Sequence, residues 1–146
     1  MDEMDFKILE LIENNGRISH EEIGKRLNLS RPAIHQRVNK LEQKGIILGY
    51  NTNIDWSKTG QVIKAFISIN VRTNDFNKII SKITAINIHG LTIEECYRIT
   101  GQWCIMLKIR SSFTDQITIL HDELLRIEGM LDTSTVLILS EAEKPY

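Results

Sequence analysis

The sequence contains little cysteine and no long apolar run, and each shortage excludes a class of protein. The two cysteines, Cys96 and Cys104, are too few for a disulfide framework, and their spacing matches no zinc-binding pattern. No apolar stretch approaches the roughly 18 residues that a membrane span requires. The N-terminus is acidic, unlike that of a signal peptide. We therefore expect a cytoplasmic protein with no membrane partner and no metal site.

Sequence signatures of catalysis are also missing. There is no glycine-rich phosphate loop, nucleophile elbow or supported pair of carboxylates. The remaining candidate nucleophiles and bases are two thiols and four imidazoles: Cys96, Cys104, His20, His35, His89 and His121. Both thiols fall on a predicted hairpin, where small soft side chains commonly fill a core or an interface. We expect no catalytic residue and no cofactor.

The chain does contain a strong separation of charge. Its 146 residues carry a net charge of −1, with 42% hydrophobic and 25% charged residues, as in a soluble globular protein of one or two small domains. Residues 1–24 hold two basic and seven acidic side chains, a net charge of −5, whereas residues 25–44 hold six basic and one acidic, a net charge of +5. A basic run of this kind is often only a solvated helix face, so the surrounding sequence must show whether it is a binding surface.

That context is a pair of short helices between Arg17 and Ile47. Ser19 with Glu22 three residues later forms a capping-box pattern, which predicts a helix starting at His20. Ile23 and Leu27 give that helix an apolar stripe.

Asn28 and Leu29 break the helical pattern, and Ser30 offers a second N-cap, with Pro32 in the first turn where it is tolerated. The second helix should bury Ala33 or Ile34, then Val38 and Leu41, and end at Gly45. Two such helices joined by a tight turn are typical of a helix-turn-helix, whose second helix enters the major groove of DNA.

The outer face of the second helix carries side chains suited to DNA. Arg31, His35, Gln36 and Asn39 can hydrogen-bond base edges. The cations on its flanks suit phosphates, and the N-cap serines complete the predicted contacts: Lys25, Arg26, Arg37, Lys40, Ser19 and Ser30. Arg37 has a second interpretation, as a structural cation that packs against the first helix.

The order and spacing of several short motifs resemble those of the Lrp/AsnC (feast/famine) family of transcription regulators. The motifs are Asp5-x-x-Ile8-Leu9, Gly16-Arg17-Ile18-Ser19, Leu29-Ser30, Arg37-Val38-x-x-Leu41-Glu42-x-x-Gly45-Ile46-Ile47 and Gly49-Tyr50. The resemblance continues into the second half and covers nearly the whole chain. It implies a nucleoid-associated regulator that binds double-stranded DNA and assembles through its second domain into homodimers or larger rings, up to an octamer.

Periodicity places further elements around the helix pair. Met4, Ile8, Leu11 and Ile12 predict a first helix ending near Asn15-Gly16, where the glycine would adopt a left-handed cap. Residues 46–48 and 52–54 predict the hairpin wing of a winged helix. We place the DNA-binding domain at residues 1–54, a linker at 55–60 and a second domain at 61–146.

The second half alternates strands and helices. Strands are predicted at 63–71, 93–99, 103–109 and 131–139, with one helix over residues 76–83 and another over 117–127 that is capped by Ser112 or Thr114. The order βαββαβ predicts a ferredoxin-like sheet with both helices on one face. The fold class is therefore α+β, a winged helix-turn-helix followed by a ferredoxin-like domain.

The uncovered sheet face should be a contact surface. Alternation puts Phe66, Ser68 and Asn70 on the face turned away from the helices. The hairpin strands offer two alternating sets, one with Tyr97, Ile99, Ile105, Leu107 and Ile109 and the other with Cys96, Arg98, Cys104, Met106 and Lys108. Neither set is wholly polar, and a mixed apolar patch of this kind usually marks an interface. We therefore expect two copies of this face to pair in a two-fold dimer. An ordinary half-solvated sheet is the alternative.

The resemblance also implies an effector site at a hairpin turn. In the family, amino acids bind near a Thr-Gly turn that is commonly followed by acidic residues. The corresponding residues here are Thr100, Gly101, Gln102 and Cys104, so a glutamine and a cysteine replace the carboxylates. An ammonium group is costly to desolvate without a carboxylate. We therefore expect a small-molecule effector to be possible but free amino acids to bind weakly or not at all.

Together these features predict a sequence-specific transcription regulator. An architectural, chromatin-like protein that bends or wraps DNA with low specificity stays open as the alternative, because phosphate contacts dominate affinity in both classes.

Overall fold

The computed structural model describes residues 1–142 and divides them into two compact units. The first unit spans residues 1–54, and the second begins at Asp55. The last four residues of the predicted second domain lie outside the described part of the chain. Within residues 1–142, no helix is long and apolar enough to cross a membrane. The same residues contain no group of three or more His, Cys, Asp or Glu side chains that could hold a metal ion.

The first unit is a three-helix bundle. Helix α1 spans Glu3–Asn14, α2 spans His20–Leu27 and α3 spans Arg31–Gln43. Its fully or almost fully buried core consists of five aliphatic side chains, Ile8, Ile23, Ile34, Val38 and Leu41. The predicted stripe of α3 is confirmed, with Ile34 rather than Ala33 facing the core.

The helix caps confirm the two predicted serine caps but not every predicted cap. Ser19 accepts the N–H of Glu22 at 3.1 Å and Ser30 accepts that of Ala33 at 3.3 Å. The capping box of α2 is only half formed, because the Glu22 carboxylate instead accepts from Arg26 Nε at 2.9 Å. Gly16 does not adopt the predicted left-handed cap: Asn15 ends α1 in an extended conformation with φ −148°.

The turn between α2 and α3 depends on a close backbone approach at Gly24. Asn28 adopts a left-handed conformation with φ +54°, and the N–H of Leu29 then donates to the carbonyl of Gly24 at 2.9 Å. A Cβ atom at position 24 would lie 2.5 Å from the Leu29 carbonyl oxygen. A glycine is therefore needed here for the two helices to keep their tight connection.

The predicted hairpin wing is wrong, because residues 46–54 contain no strand. The N–H groups of Ile46 and Ile47 both donate to the carbonyl of Leu41, at 2.9 and 3.3 Å, and so complete the end of α3 instead of a strand ladder. Tyr50 donates its hydroxyl to Glu42 Oε1 at 2.8 Å. These contacts hold residues 46–50 against the C-terminal end of α3.

The second unit is a four-stranded antiparallel sheet with two helices. A short 3₁₀ helix, Trp56–Thr59, precedes it. The elements are β1 Ile63–Val71, α4 Phe76–Thr84, β2 Leu91–Arg98, β3 Ile105–Ser111, α5 Thr114–Leu125 and β4 Met130–Leu137. The strand order is β2-β3-β1-β4, which is the predicted ferredoxin-like arrangement.

Alternate residues of the strands pack under the helices. The buried cluster consists of Ala65, Ile67, Ile69, Val71, Ile79, Ile83, Leu91, Ile105, Leu107, Ile109, Ile117, Leu120 and Leu124. The predicted cap of α5 by Ser112 or Thr114 is wrong. Phe113 is the N-cap residue, and Gln116 Oε1 accepts the N–H groups of Ser112 and Phe113, each at 3.0 Å.

A bulge in β2 changes which residues face the helices. The register shifts between Ile93 and Glu95, so that Cys96 lies opposite Leu107 and Tyr97 lies opposite Met106. Cys96 therefore packs against the core, while Tyr97 joins Met106 on the uncovered face. The predicted set that combined Tyr97 with Leu107 is wrong, because one extra residue inverts the alternation of everything that follows it.

Candidate nucleic-acid interface

Helix α3 presents a polar surface opposite its buried stripe. Successive residues are rotated by about 100° around an α-helix, so the buried stripe of Ile34, Val38 and Leu41 places four residues at the centre of the opposite side. These are Pro32, Gln36, Asn39 and Gln43. All but Asn39, which is half-buried, are exposed. Three of these four, Gln36, Asn39 and Gln43, have amide side chains that can donate to and accept from base edges.

One flank of this face carries two imidazoles. Asn39 Nδ2 donates to His35 Nε2 at 3.1 Å, and the ring centroid of His35 lies 5.3 Å from that of His20, the first residue of α2. Arg31 precedes His35 by one helical turn. The structure thus groups Arg31, His35 and Asn39 on the side of α3 that is adjacent to the start of α2.

The predicted cations divide into paired and unpaired groups. Lys25 contacts Glu21 at 2.8 Å and Arg26 contacts Glu22 at 2.9 Å, both across one turn of α2. Glu21 raises the pKa of Lys25 through its hydrogen bond and charge. Exposed ion pairs of this kind contribute little to stability. A phosphate can therefore compete with the glutamate for either cation. Among residues 1–142, Lys40 has no ion-pair partner.

Arg37 differs from the other predicted cations because its ion pairs join it to a different helix. Its Nη1 atom donates to Asp2 Oδ1 at 2.9 Å and Oδ2 at 2.8 Å, and to Asp5 Oδ1 at 2.6 Å. The structure therefore groups Arg37 with the start of α1, as the second interpretation of this residue required.

The two N-cap serines lie at helix N-termini, where backbone N–H groups favour anions. Their hydroxyl oxygens accept the cap bonds described above, and each O–H remains a donor for a phosphate.

The sequence prediction omitted Gln43 and Lys44, both exposed. Helical spacing identifies Gln43, because it follows Gln36 by seven residues and Asn39 by four.

The candidate effector residues do not converge. Gly101 has φ +109° and borders open space, and Gln102 is exposed. The side chain of Cys104 packs instead against the core, with Sγ 3.6 Å from Asn70 Oδ1 and 3.9 Å from the Val71 carbonyl oxygen. Cys104 is therefore turned toward β1, and Thr100, Gly101 and Gln102 remain on the hairpin turn.

The environment of the thiols predicts low reactivity. Burial raises the pKa of the Cys96 thiol, which lowers the fraction of reactive thiolate at neutral pH. We expect iodoacetamide to alkylate both cysteines more slowly in the native protein than in the urea-unfolded chain. Mass spectrometry after timed quenching measures this difference. Rapid native alkylation of either cysteine would contradict it and indicate an activated nucleophile.

A bundle with a polar recognition helix, followed by an antiparallel βαββαβ unit, defines a helix-turn-helix DNA-binding protein with an additional α+β domain. Residues 1–47 match the family model described as winged helix-turn-helix DNA-binding, and residues 64–145 match the Lrp/AsnC ligand binding domain. The chain belongs to the Lrp/AsnC family of transcription regulators.

Individual relatives match along nearly their whole length. The HTH-type transcriptional regulator LrpC of Bacillus subtilis is 31% identical over 143 residues, which cover 98% of this chain and 94% of the relative. The solved structure of LrpC has a TM-score of 0.84, with 99% of each chain covered. Escherichia coli AsnC has a TM-score of 0.85 at 26% identity, covering 100% of this chain and 97% of AsnC. The protein is thus a transcription regulator that binds DNA through its helix-turn-helix unit.

Proposed function

We propose that the exposed face of α3 reads a specific duplex sequence in the major groove. The observation that supports this most directly is the polar surface opposite the buried stripe, within a segment of net charge +5. Base contacts are assigned to Arg31, His35, Gln36 and Asn39. Phosphate contacts are assigned to Lys25, Arg26, Lys40 and the N-cap serines Ser19 and Ser30.

Two substitutions separate base contacts from phosphate contacts. Gln36→Ala should relax preference at one base position by roughly 1–3 kcal/mol. Lys40→Gln should instead weaken binding to every duplex and flatten the dependence of log K on log salt by about one. Fluorescence anisotropy on selected and randomised duplexes at several salt concentrations measures both effects.

A matched control is Lys82→Gln, which removes an exposed lysine from α4 of the second unit. It should leave both the specificity and the salt slope unchanged. Equal losses on selected and random duplexes for Gln36→Ala would exclude Gln36 from base reading. An unchanged salt slope for Lys40→Gln would exclude Lys40 from the phosphate contacts. Selection from random duplexes provides the target, and a sharp consensus is the expected result.

The uncovered sheet face supports a homodimer as the working assembly. In the register of the sheet, Phe66 lies between Lys108 on β3 and Val136 on β4, and Met106 and Tyr97 share this face. Val136 is 59% exposed and Tyr97 50%. Pairing two such faces would bury this apolar patch. The resulting two-fold symmetry would present two recognition helices to the half-sites of a pseudo-palindromic operator.

A further inference from the structure

The start of α1 is joined to the middle of α3 by a cluster of three charged side chains, Asp2, Asp5 and Arg37. Each carboxylate accepts hydrogen bonds both within α1 and from Arg37. Asp2 Oδ1 accepts the N–H of Asp5 at 2.9 Å, and Asp5 Oδ2 accepts the N–H of Asp2 at 3.0 Å, which closes the capping box of α1. Both oxygens of Asp2 and the Oδ1 atom of Asp5 also accept from Arg37 Nη1. The recognition helix thus supplies the cation that neutralises the N-cap of another helix.

Charge separates this cluster from a phosphate site. Two carboxylates and one guanidinium leave these three groups with a net charge of −1, so the charge of Arg37 is already balanced within the protein. The hydrogen bond from Arg37 lowers the pKa of Asp2; the capping bond from Asp2 and then Arg37 lower that of Asp5. Both groups are therefore ionised at neutral pH, and the contribution of the cluster is lost only as the pH falls through those lowered pKa values.

Beside this cluster the surface between the first turn of α1 and α3 is an open depression, whereas one turn later Ile8 packs with Ile34 and Val38 in the core. A cavity of about 550 Å³ is lined on one side by Asp2 and Asp5 and on the other by Ala33, Gln36 and Lys40, and Arg37 also lines it. The first turn of α1 is therefore separated from Gln36 and Lys40 by open space. The Asp5 side chain is only 15% exposed and that of Arg37 32%, which shields this ion pair from solvent more than an ordinary surface pair.

We propose that Asp2, Asp5 and Arg37 form a positioning clamp that fixes α1 against the recognition helix and thereby sets the orientation from which the neighbouring Gln36 reads DNA. This inference rests on the proposed function of α3. Arg37 acts through Gln36 and Lys40 and makes no phosphate contact itself. Loss of the clamp should reduce specific binding more than non-specific binding, because misplacement affects directional base contacts more than screened charge contacts.

Asp5→Asn in the full-length protein tests the clamp. The amide retains an oxygen for the N–H of Asp2 but removes the charge that pairs with Arg37. We expect affinity for the selected duplex to fall on the order of tenfold, with little change on random duplexes, although the variant is less acidic. Glu3→Gln is the matched control, because Glu3 lies in the same turn and pairs with Lys7 at 2.7 Å instead of with Arg37. It should leave the ratio of the two affinities unchanged.

The salt slope distinguishes positioning from phosphate binding. Arg37→Gln should lower specific affinity without changing the slope, and Arg37→Lys should recover part of the loss. A slope flattened by about one in Arg37→Gln would make Arg37 a phosphate contact and overturn the inference. An Asp5→Asn variant that leaves the ratio of specific to non-specific affinity unchanged, as Glu3→Gln should, would also overturn the inference.

Circular dichroism at the assay temperature ensures that only folded protein is compared. If Asp5→Asn does not fold, Asp2→Asn, at the more exposed outer carboxylate, replaces it with the same expected direction. Lys40→Gln serves as the reference for the proposed function. If Lys40→Gln leaves the salt slope unchanged, the phosphate contact of Lys40 in the proposed function fails; if only the clamp variants leave specific affinity unchanged, the clamp inference alone fails.

Discussion

Phe66→Glu should convert the protein to a monomer and weaken its binding to a duplex with two half-sites by about 10²–10⁴-fold. Loss of this size is expected when the second contact ceases to be effectively intramolecular. Phe66 lies on the uncovered face, directly opposite Lys108 in the register of the sheet, so the new carboxylate has a cation beside it and the fold should persist. In the proposed dimer each new carboxylate would instead be desolvated within the interface.

Sedimentation equilibrium and half-site titrations measure the two consequences. Phe113→Glu is a matched control, since Phe113 is 68% exposed, lies at the start of α5 and makes no side-chain cap bond. It should leave both assembly and affinity unchanged. A Phe66→Glu variant that remains dimeric would show that this sheet face is not the dimer interface.

A division of the chain gives the same test without substitutions. A fragment of residues 61–146 should self-associate, whereas a fragment of residues 1–55 should be monomeric and bind DNA weakly. The first compact unit ends at residue 54 and the second begins at Asp55, and no residue from 55 to 60 belongs to either buried core, so neither cut removes a core side chain. A dimeric N-terminal fragment would contradict the assignment of assembly to the sheet.

The helix-turn-helix was predictable because its signals are local. Ser19 and Ser30 each cap the helix that starts at the next residue, by accepting the N–H of the residue three positions later. The stripe of Ile34, Val38 and Leu41 repeats at the helical period. These two capping bonds join atoms that are close along the chain, so sequence spacing was enough to predict them.

Two of the errors arise where backbone pairing decides the outcome. The bulge between Ile93 and Glu95 follows from the pairing of β2 with β3, and it places Cys96 under the helices and Tyr97 on the open face. The wing prediction failed because the N–H groups of Ile46 and Ile47 are used by Leu41. Neither effect is visible in a pattern of apolar residues.

The environment of Arg37 illustrates the same limit within the candidate site. Its partners Asp2 and Asp5 precede it by 35 and 32 residues. The basic composition of residues 25–44 favoured a phosphate contact, and only the three-dimensional contact shows that two carboxylates already hold the guanidinium. A count of positive residues therefore overestimates the number available to DNA.

None of the twenty common amino acids should bind at the Thr100–Gly101–Gln102 turn with a dissociation constant below about 1 mM. The ammonium of a free amino acid must exchange its water for acceptors, and neutral acceptors give roughly half the strength of charged ones. Gln102 offers one neutral carbonyl, and the Cys104 thiol is turned toward Asn70. Glu95 is occupied, since it accepts from the Tyr97 hydroxyl and lies 3.6 Å from Lys108 Nζ.

Isothermal titration calorimetry with each amino acid at millimolar concentration tests this expectation, and DNA affinity should be equally unresponsive. Gln102→Glu provides a positive comparison, because Gln102 is exposed and the substitution restores one carboxylate at the turn with little disturbance of the fold. It should strengthen binding of at least one amino acid relative to the wild-type protein. A micromolar complex of the wild-type protein with leucine, lysine or any other amino acid would overturn the prediction. In that case acceptors from a neighbouring subunit would have to supply the charge that this turn lacks.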